Sequence, residues 1–234
     1  MKAMVLAAGR GTRLKKLTAT HPKALAEIDG VTLLEHVVRR LAAAGVTEVI
    51  INLHHCGEMI PPFVERHGRF GLQRVAYSKE PELLDTGGGL KQAAWFFDDG
   101  RPLLVHNVDV LSDIDLAALL RVHQASGALV TLAAKARSTA RPLLFDADGR
   151  LVGRRTAGQG DRLVRPPRGE PVPLGFCGIQ AVSPALFPKL TETGSFPLAE
   201  CYLRLAGLDE PILVHRVDDA RWRDCGRVED LRPL

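Results

Sequence analysis

The order of apolar and polar positions predicts alternating strands and helices in the first half of the chain. An apolar run at residues 3–8 ends in a turn that contains glycine. Residues 32–44 carry apolar side chains at helical spacing, with Thr32 as the expected N-cap and Gly45 at the C-terminal end. A second strand is predicted at 48–53. Together these form a βαβ unit, whose crossover is expected to be right-handed.

The apolar pattern continues beyond this unit. Further strands are predicted at 73–78, 102–110, 128–134, 143–145 and 150–152, the last two pairing around a turn at 146–149. Further helices are predicted at 58–67, interrupted by Pro61-Pro62, at 92–96 after three glycines, at 116–126 and at 196–205. Residues 153–175 are rich in Arg, Gly and Pro with little periodicity, so we expect a mobile loop over a site or a solvated connector.

The length and composition suit one large domain, 1–234, with a sizeable core. The chain has 234 residues, of which 46% are hydrophobic. No apolar run reaches the ~20 residues that span a bilayer, and the first apolar run leads directly into a glycine turn, unlike a signal peptide. We therefore expect a soluble cytoplasmic protein without a membrane partner.

The charge and the cysteines narrow the class further. A dispersed net charge of +4 does not predict nucleic-acid binding, and phosphorylated metabolites explain it equally well. The four cysteines are far apart without a C-x-x-C pair, which indicates neither a zinc site nor a disulfide framework. His54 and His55 are adjacent at a strand end and should point in opposite directions, which disfavours a shared metal.

The turn after the first strand is the main candidate for ligand binding. Gly9 and Gly11 allow backbone to approach a ligand closely, and N–H groups at the carboxyl edge of a sheet suit a phosphate. The dinucleotide pattern G-x-G-x-x-G would need glycine at Leu14, and the P-loop pattern has no match from Gly9 onward.

The segment L-A-A-G-R-G-T-R-L at residues 6–14, followed by Pro22-Lys23, resembles the signature of the nucleotide-sugar pyrophosphorylases, the sugar-1-phosphate nucleotidyltransferases. The resemblance implies an α/β fold: a Rossmann-like three-layer α/β/α, glycosyltransferase A-like arrangement around a mixed, mainly parallel sheet. It also implies a nucleotide-binding half at 1–135 and a sugar-phosphate-binding half at 136–234.

The resemblance also implies which residues hold the nucleotide. Backbone amides of Gly9 to Gly11 and the Arg13 side chain would hold the triphosphate, and Lys23 would neutralise charge at the reacting phosphates, which makes Arg13 and Lys23 candidate catalytic residues. The family's T-G-G segment lies against the nucleobase. The expected nucleotide-binding residues are Leu6, Ala7, Ala8, Gly9, Gly11, Thr12, Arg13, Lys23, Asp85, Thr86, Gly87 and Gly88.

Asp109 lies at the C-terminal end of the predicted strand 102–110, where a carboxylate can either coordinate Mg²⁺ or cap the next turn, and position alone favours neither. Asn107-Val108-Asp109 is similar to the family's Asn-Gly-Asp with valine in place of glycine. Residues 222–226, W-R-D-C-G, resemble its W-x-D-x-G, whose aspartate is the second metal ligand. The resemblance therefore implies Mg²⁺ between Asp109 and Asp224, with Asp109 catalytic.

The sugar-phosphate half departs from the family in one respect. Phe176-Cys177-Gly178-Ile179 resembles the F-x-G-I strand, whose glycine lets the sugar approach the backbone. The Glu-Lys-Pro segment of many relatives is missing, and Arg165 is the expected replacement for its lysine, although a planar guanidinium is not equivalent to an ammonium. The expected sugar-phosphate residues are Asn107, Gly178, Glu200 and Arg165.

The predicted reaction condenses a nucleoside triphosphate with a sugar 1-phosphate to a nucleotide sugar and pyrophosphate, by Mg²⁺-dependent in-line attack on the α-phosphate. The protein is expected to be a monomer or homodimer. Alternatives are a phosphocholine cytidylyltransferase activity, or a catalytically silent regulatory subunit that senses sugar nucleotides. The chain lacks the third glycine of the dehydrogenase pattern, which argues against a dehydrogenase. Asp113-Ile114-Asp115 has the spacing of a glycosyltransferase D-x-D motif, but it lies beyond Asp109 at an expected helix start.

Overall fold

The structure, a computed structural model, describes residues 1–11 and 20–231. The strands within those ranges are β1 (Lys2–Leu6), β2 (Glu27–Ile28), β3 (Val31–Thr32), β4 (Glu48–Leu53), β5 (Arg74–Lys79), β6 (Leu103–Asn107), β7 (Val110–Ser112), β8 (Val130–Lys135), β9 (Leu143–Phe145), β10 (Leu151–Thr156), β11 (Gly160–Leu163), β12 (Val172–Val182), β13 (Ile212–Arg216) and β14 (Trp222–Asp224). The α-helices are α1 (Leu33–Ala43), α2 (Ile60–Arg66), α3 (Asp85–Gln92), α4 (Leu116–Ser126) and α5 (Leu198–Gly207).

A ten-stranded mixed sheet forms the centre of the molecule. Its main path is β11-β10-β9-β12-β6-β1-β4-β5, and β8 joins β12 and carries β13. The strands β6, β1, β4 and β5 are parallel because helical crossovers connect them, whereas β12 pairs antiparallel with β6, β8 and β9. The predicted mixed α/β sheet is confirmed; its parallel order holds mainly for the first half of the chain.

Two apolar clusters cover the two faces of this sheet. Successive strand residues point to opposite faces, so Ala3 and Val5 of β1 join the cluster that contains α1, whereas Met4 joins the cluster that contains α5. Both clusters consist mainly of buried Leu, Ile, Val and Ala side chains, and the second also contains buried Phe side chains and Tyr202. The result is the three-layer α/β/α arrangement expected from the resemblance.

The first two helices show why local sequence patterns succeed or fail. Helix α1 begins as predicted, with Thr32 Oγ1 accepting a hydrogen bond from the Glu35 N–H at 3.2 Å. Helix α2 differs from the prediction, because Pro61 and Pro62 occupy its first turn and do not interrupt it. A proline there loses no intrahelical hydrogen bond, since the first N–H groups of a helix have no partner within it.

Three further predictions about local structure are wrong. The glycines at 87–89 lie inside α3, whereas the pattern placed them before a helix. Residues 153–175 include the β10–β11 hairpin and the start of β12 instead of an irregular loop, because backbone hydrogen bonds pair these strands. The strand predicted at 102–110 divides into β6 and β7, which leaves Val108 and Asp109 in the turn between them.

None of the helices in the described ranges has the length and apolar character needed to cross a bilayer.

Candidate active site

A cleft of about 400 Å³ opens where β1 and β6 end. The two strands are parallel and Leu6 is opposite Asn107, so the residues that follow them meet at one edge of the sheet. Ser195 and Gly226 from the second half of the chain complete the wall. Ten of the predicted site residues line this cleft: Leu6, Ala7, Ala8, Gly9, Gly11, Lys23, Asp85, Thr86, Asn107 and Asp109.

A buried polar network holds the opening turn in place. The N–H groups of Ala7 and Ala8 donate to Asn52 Oδ1, at 2.6 and 3.3 Å. Asn52 Nδ2 donates to Glu80 Oε1 at 2.7 Å, and the N–H of Leu84 donates to Glu80 Oε2 at 3.0 Å. The network ties the ends of β1, β4 and β5 to the start of α3. The amides of Ala7 and Ala8 are therefore engaged within the protein, whereas the anion-binding amides were predicted at Gly9 to Gly11.

Asn52 and Glu80 are functional residues that the sequence analysis missed. Both are buried, with only 3% and 4% of their surface exposed. The signal available in the sequence was Asn52 itself, a polar residue within the apolar strand V-I-I-N-L. Buried polar groups need hydrogen-bond partners, but the sequence does not say that this partner is Glu80.

Gly9 and Gly11 of the opening turn are in different structural situations. A Cβ added to Gly9 would have no described atom within 4 Å, so protein packing does not require glycine there. Gly11 has φ +61°, a conformation that side chains rarely adopt. The space beside Gly9 faces the cleft and is accessible to a ligand. Thr12, Arg13 and Leu14 lie outside the described residues.

Lys23, Asp109 and Asp224 come together from three distant parts of the chain. Lys23 is buried and its Nζ forms an ion pair with Asp109 Oδ2. Strand β14 pairs with β7 so that Asp224 lies opposite Val110, and the Cys225 N–H donates to the Asp109 carbonyl at 2.7 Å. The antiparallel pair places the two predicted metal ligands next to each other.

The two carboxylates fit a hard cation such as Mg²⁺. Asp224 Oδ1 is buried and has no hydrogen-bond partner among the described residues, which is costly for a carboxylate unless a cation or donor satisfies it. No group of three or more His, Cys, Asp or Glu side chains suited to a metal occurs in ranges 1–11 and 20–231. Mg²⁺ commonly uses one or two carboxylates and takes its remaining oxygens from water and phosphate.

The two aspartates that follow Asp109 lie at the start of α4, as expected. Asp115 is the N-cap of α4, and its Oδ1 accepts from the Ala118 N–H at 2.8 Å. Asp113 is paired with Arg221 at 2.7 Å. The Asp109 carboxylate pairs with Lys23 beside the cleft.

The glycines of α3 pack against the protein. A Cβ on Gly87 would overlap the Phe196 ring and lie 2.8 Å from the Phe196 carbonyl oxygen. A Cβ on Gly88 would lie 2.5 Å from the Gly194 carbonyl oxygen. Of the predicted base-binding residues, Asp85 and Thr86 line the cleft, while Gly87 and Gly88 let α3 approach the segment that precedes α5.

Two other contacts complete the junction between the halves. Thr86 Oγ1 accepts a hydrogen bond from the Leu198 N–H at 3.0 Å, which joins α3 to the start of α5. Gly178 has φ +72°, and a Cβ there would lie 3.0 Å from Asn107 Nδ2. Glycine at 178 thus lets β12 lie close to Asn107 at the end of β6; the approach of a sugar to this glycine stays a prediction.

The structure does not bring Arg165 to the cleft. Its guanidinium pairs with Asp209, just beyond the C-terminal end of α5, at 2.9 Å. Glu200, in the first turn of α5, pairs with Arg154 and, at 3.3 Å, with Arg162. Arg165 is therefore engaged at the C-terminal end of α5 and does not line the cleft, so its expected replacement of the family's lysine stays a prediction without support from this arrangement.

A buried histidine supports the strand that carries the site. Burial lowers the pKa of His106 to about 4, so its imidazole is neutral near pH 7. Its Nδ1 lies 2.8 Å from the Asn107 carbonyl oxygen, which requires the proton on Nδ1. His106 therefore holds the backbone before Asp109 without adding charge to the cleft.

Comparisons with known proteins identify similar chains. The family model described as "Nucleotidyl transferase" matches residues 2–143. An N-acetylmuramate alpha-1-phosphate uridylyltransferase of Caulobacter vibrioides is 32% identical over 87% of this chain and 84% of its own. The enzyme of that name from Neisseria meningitidis is 44% identical over 50% of this chain. A mannose-1-phosphate guanyltransferase of Hypocrea jecorina is 36% identical over 54% of this chain. These two alignments span only 51% and 35% of the relatives' own lengths.

Solved structures show the same fold. A UDP-glucose pyrophosphorylase complexed with UDP-glucose superposes with a TM-score of 0.79, covering 98% of this chain and 95% of that one at 17% identity. A glucose-1-phosphate thymidylyltransferase of Bacillus anthracis, described as putative, also gives a TM-score of 0.79, at 16% identity over 99% of this chain and 92% of that one.

Proposed function

The chain belongs to the nucleotidyl transferase family, and we propose on that premise that it transfers a nucleotidyl group from a nucleoside triphosphate to a sugar 1-phosphate, releasing pyrophosphate. The observation that carries the proposal is the Lys23–Asp109 ion pair at a cleft bordered by a glycine turn, with Asp224 opposite Val110 on the strand that pairs beside Asp109. Residues 1–135 would bind the nucleotide and residues 136–234 the sugar phosphate.

The reaction sets three tasks for the protein. An oxygen of the sugar phosphate attacks the α-phosphorus while pyrophosphate leaves, so one P–O bond forms as another breaks. Both reactants are anions, and the site must reduce their repulsion, align them and stabilise charge on the phosphorus oxygens. No protein nucleophile is needed, because the phosphate monoester already carries a nucleophilic oxygen.

The described residues suit these tasks. Lys23 brings a buried ammonium to the edge of the cleft, where it can neutralise phosphate charge. The Asn52–Glu80 network fixes the backbone that leads into the glycine turn, so the turn is positioned before the ligand arrives. Asp109 and Asp224 would hold Mg²⁺, which when bound supplies Lewis-acid stabilisation and a template for the two phosphates.

The relatives suggest the first substrate pair to test. Two of them are named as uridylyltransferases of N-acetylmuramate alpha-1-phosphate, and we propose UTP with that sugar phosphate. Glucose- and mannose-phosphate enzymes are also similar to this chain, so these sugar phosphates belong in the same panel. The presence of Lys23, Asp109 and Asp224 supports an active enzyme over a silent sensor. The protein would act as a monomer or homodimer.

The test measures pyrophosphate release with Mg²⁺ for five nucleoside triphosphates against a panel of sugar 1-phosphates and phosphocholine. We expect one preferred pair, and a loss of at least about 100-fold in Asp109→Asn and Asp224→Asn. Asp219→Asn, an exposed carboxylate nearby along the chain, is the matched control and should retain activity. If nucleotide binds but no substrate pair gives pyrophosphate release, the transferase proposal is refuted and the regulatory-sensor alternative is supported.

A further inference from the structure

The strand that carries Asp224 has little backbone support of its own. Within the described ranges, β14 pairs with β7 alone, and both strands are only three residues long. They form a small sheet separate from the ten-stranded one. An isolated pair of short strands is marginally stable in water. Further contacts must therefore hold β14 in the position that brings Asp224 to the strand next to Asp109.

The Trp222 side chain supplies the first of these contacts. Trp222 is the first residue of β14, two positions before Asp224. Its indole Nε1 donates a hydrogen bond to the Cys177 carbonyl oxygen at 2.8 Å. Cys177 lies in β12, where the register of this strand against β8 shifts between Phe176 and Gln180. The indole thus connects β14 to the central sheet at an irregular place in β12.

Arg137, two residues after the end of β8, contacts both the indole and β12. Its guanidinium carbon lies over the Trp222 ring, 4.1 Å from the ring centre, which is a cation–π contact. Its Nη2 donates to the Phe176 carbonyl oxygen at 2.7 Å. Arg137 and Trp222 therefore bond to two successive carbonyls of β12, and the guanidinium fixes the indole against that strand.

A glycine of β12 makes room for this arginine. A Cβ on Gly175 would lie 2.6 Å from both Cγ and Nε of Arg137, so the arginine side chain packs on bare backbone. The Cys177 thiol is a further neighbour. Burial raises the pKa of this thiol to about 11, although Arg137 opposes the shift, so the thiol is uncharged near pH 7. The carbonyl and the thiol are neutral partners, which favours interaction of the guanidinium charge with the indole face.

The same part of β12 also supports the other strand of the small sheet. A Cβ on Gly178 would lie 2.9 Å from Val110 Cγ2, so β12 approaches β7 closely at this point. Val110 follows Asp109 and is opposite Asp224 in the pairing of β7 with β14. The irregular part of β12 therefore contacts β7 through Gly178 and β14 through the Trp222 indole.

We propose that Arg137 is a positioning residue for the metal ligand Asp224. By fixing the Trp222 indole against β12, Arg137 holds β14 against β7 in the register that the metal site requires. Arg137 does not line the cleft, so it acts on the site through the indole and not by contact with the substrates. The inference rests on the proposed function, in which Asp224 holds Mg²⁺, and adds a residue that prepares this ligand.

The proposal predicts a change in metal affinity opposite in sign to a simple charge effect. Removing a positive charge from this part of the protein would by itself favour a cation at the two aspartates. Loss of the support under Trp222 would instead let β14 move and would weaken cation binding. Arg137→Met keeps a long apolar side chain but removes the charge and the bond to Phe176, so it separates the two effects.

The experiment titrates Mn²⁺, a paramagnetic substitute for Mg²⁺ at oxygen ligands, into the protein and follows the free ion by EPR spectroscopy. Asp224→Asn defines the loss that results when a ligand itself is removed. We expect Arg137→Met to weaken Mn²⁺ binding at least about tenfold, and Arg137→Lys less than about threefold because an ammonium can still interact with the indole face. Arg141→Met, at an exposed arginine of the same segment, is the matched control and should bind Mn²⁺ as the wild type does.

A second variant tests whether Arg137 acts through the indole. Trp222→Phe removes the Nε1 donor while leaving Arg137 in place, and it should weaken Mn²⁺ binding at least about fivefold, which keeps the proposal testable where Arg137→Met folds poorly. The double variant should lose less than the product of the two single effects, since both act on one contact. In pyrophosphate release, excess Mg²⁺ should restore the kcat of Arg137→Met, which a general loss of folding would not allow.

The outcomes separate this proposal from the proposed function. Unchanged or tighter Mn²⁺ binding by Arg137→Met, unchanged binding by Trp222→Phe, an equal loss in Arg141→Met, or single effects that multiply in the double variant would overturn the positioning role alone. A wild type that binds no Mn²⁺ would refute the metal site and the positioning role together. Binding of Mn²⁺ that depends on Arg137, without pyrophosphate release for any substrate pair, would support the positioning role and refute the transferase.

Discussion

The Asn52–Glu80 network makes a prediction that depends on the direction of every hydrogen bond in it. Backbone N–H groups donate at both ends of the network. Those of Ala7 and Ala8 donate to Asn52 Oδ1, and that of Leu84 donates to Glu80 Oε2. In the middle, Asn52 Nδ2 donates to Glu80 Oε1. One amide and one carboxylate satisfy all of these donors, whereas two amides cannot.

Glu80→Gln removes one acceptor and sets two donors against each other. The new Nε2 must face either Asn52 Nδ2 or the Leu84 N–H, and rotating the Asn52 amide only moves the conflict to Ala7. At 4% exposure, water cannot relieve this conflict. We expect a loss of about 1–3 kcal/mol in unfolding free energy and weaker nucleotide binding, because the turn after β1 loses its anchor.

The reciprocal change supplies the decisive comparison. Asn52→Asp alone places two buried carboxylates against each other, and it should cost at least as much as Glu80→Gln. The double variant restores the pattern with the two groups exchanged. The carboxylate introduced at position 52 accepts from Ala7, from Ala8 and from the amide introduced at position 80, while the oxygen of that amide accepts from Leu84. We expect the double variant to recover to within about 1 kcal/mol of the wild type.

The assay is urea unfolding of the four proteins, with nucleotide titration alongside. Glu82→Gln, an exposed neighbour, is the control and should change stability by less than about 0.5 kcal/mol. The reasoning would be refuted by single-variant costs that simply add in the double variant, because additivity means that the two side chains do not share a hydrogen bond.

Three other predictions follow from individual residues. Gly87→Ala should lower the free energy of unfolding, measured by thermal denaturation, by about 1–3 kcal/mol because its Cβ overlaps Phe196. Gly9→Ala should fold normally but bind nucleoside triphosphate more weakly. A larger loss of stability in Gly9→Ala than in Gly87→Ala would contradict the packing argument. Burial holds the pKa of His123 at about 4, below its ordinary 6.5, so its stabilisation is complete above pH 6.5 and is lost as the pH falls towards 4. Urea unfolding at pH 7.5 and 5.0 should show a loss of stability that is about 2 kcal/mol larger in the wild type than in His123→Gln, which keeps the buried His106; equal losses in the two proteins would count against it. Arg165→Met should change the sugar-phosphate KM by less than about twofold, since Arg165 pairs with Asp209. Lys23→Met should abolish turnover, since Lys23 pairs with Asp109 at the cleft. A large increase in KM for Arg165→Met in steady-state kinetics would show that Arg165 does contribute to sugar-phosphate binding.

The sequence by itself determined the elements and motifs that depend on neighbours along the chain. The apolar run of β1, the N-cap of α1 at Thr32 and the glycine turn are local patterns, and each is found at its predicted place. The resemblance in the segments around Lys23, Asp109 and Asp224 predicted that they share a site, and the pairing of β7 with β14 places Asp224 opposite Val110, the residue after Asp109.

Only the tertiary structure decided which distant residue each polar or small side chain meets. The glycine run of α3 looked like a ligand-binding loop until Phe196, more than a hundred positions later, was found against Gly87. Glu200 pairs with Arg154 and Arg162, Arg165 pairs with Asp209, and Tyr202 and Gln180 line one cavity because α5 packs on the sheet. Local periodicity reports which face of an element is apolar, but long-range packing chooses its partners, and those partners decide whether a buried polar group supports the fold or remains available to a ligand.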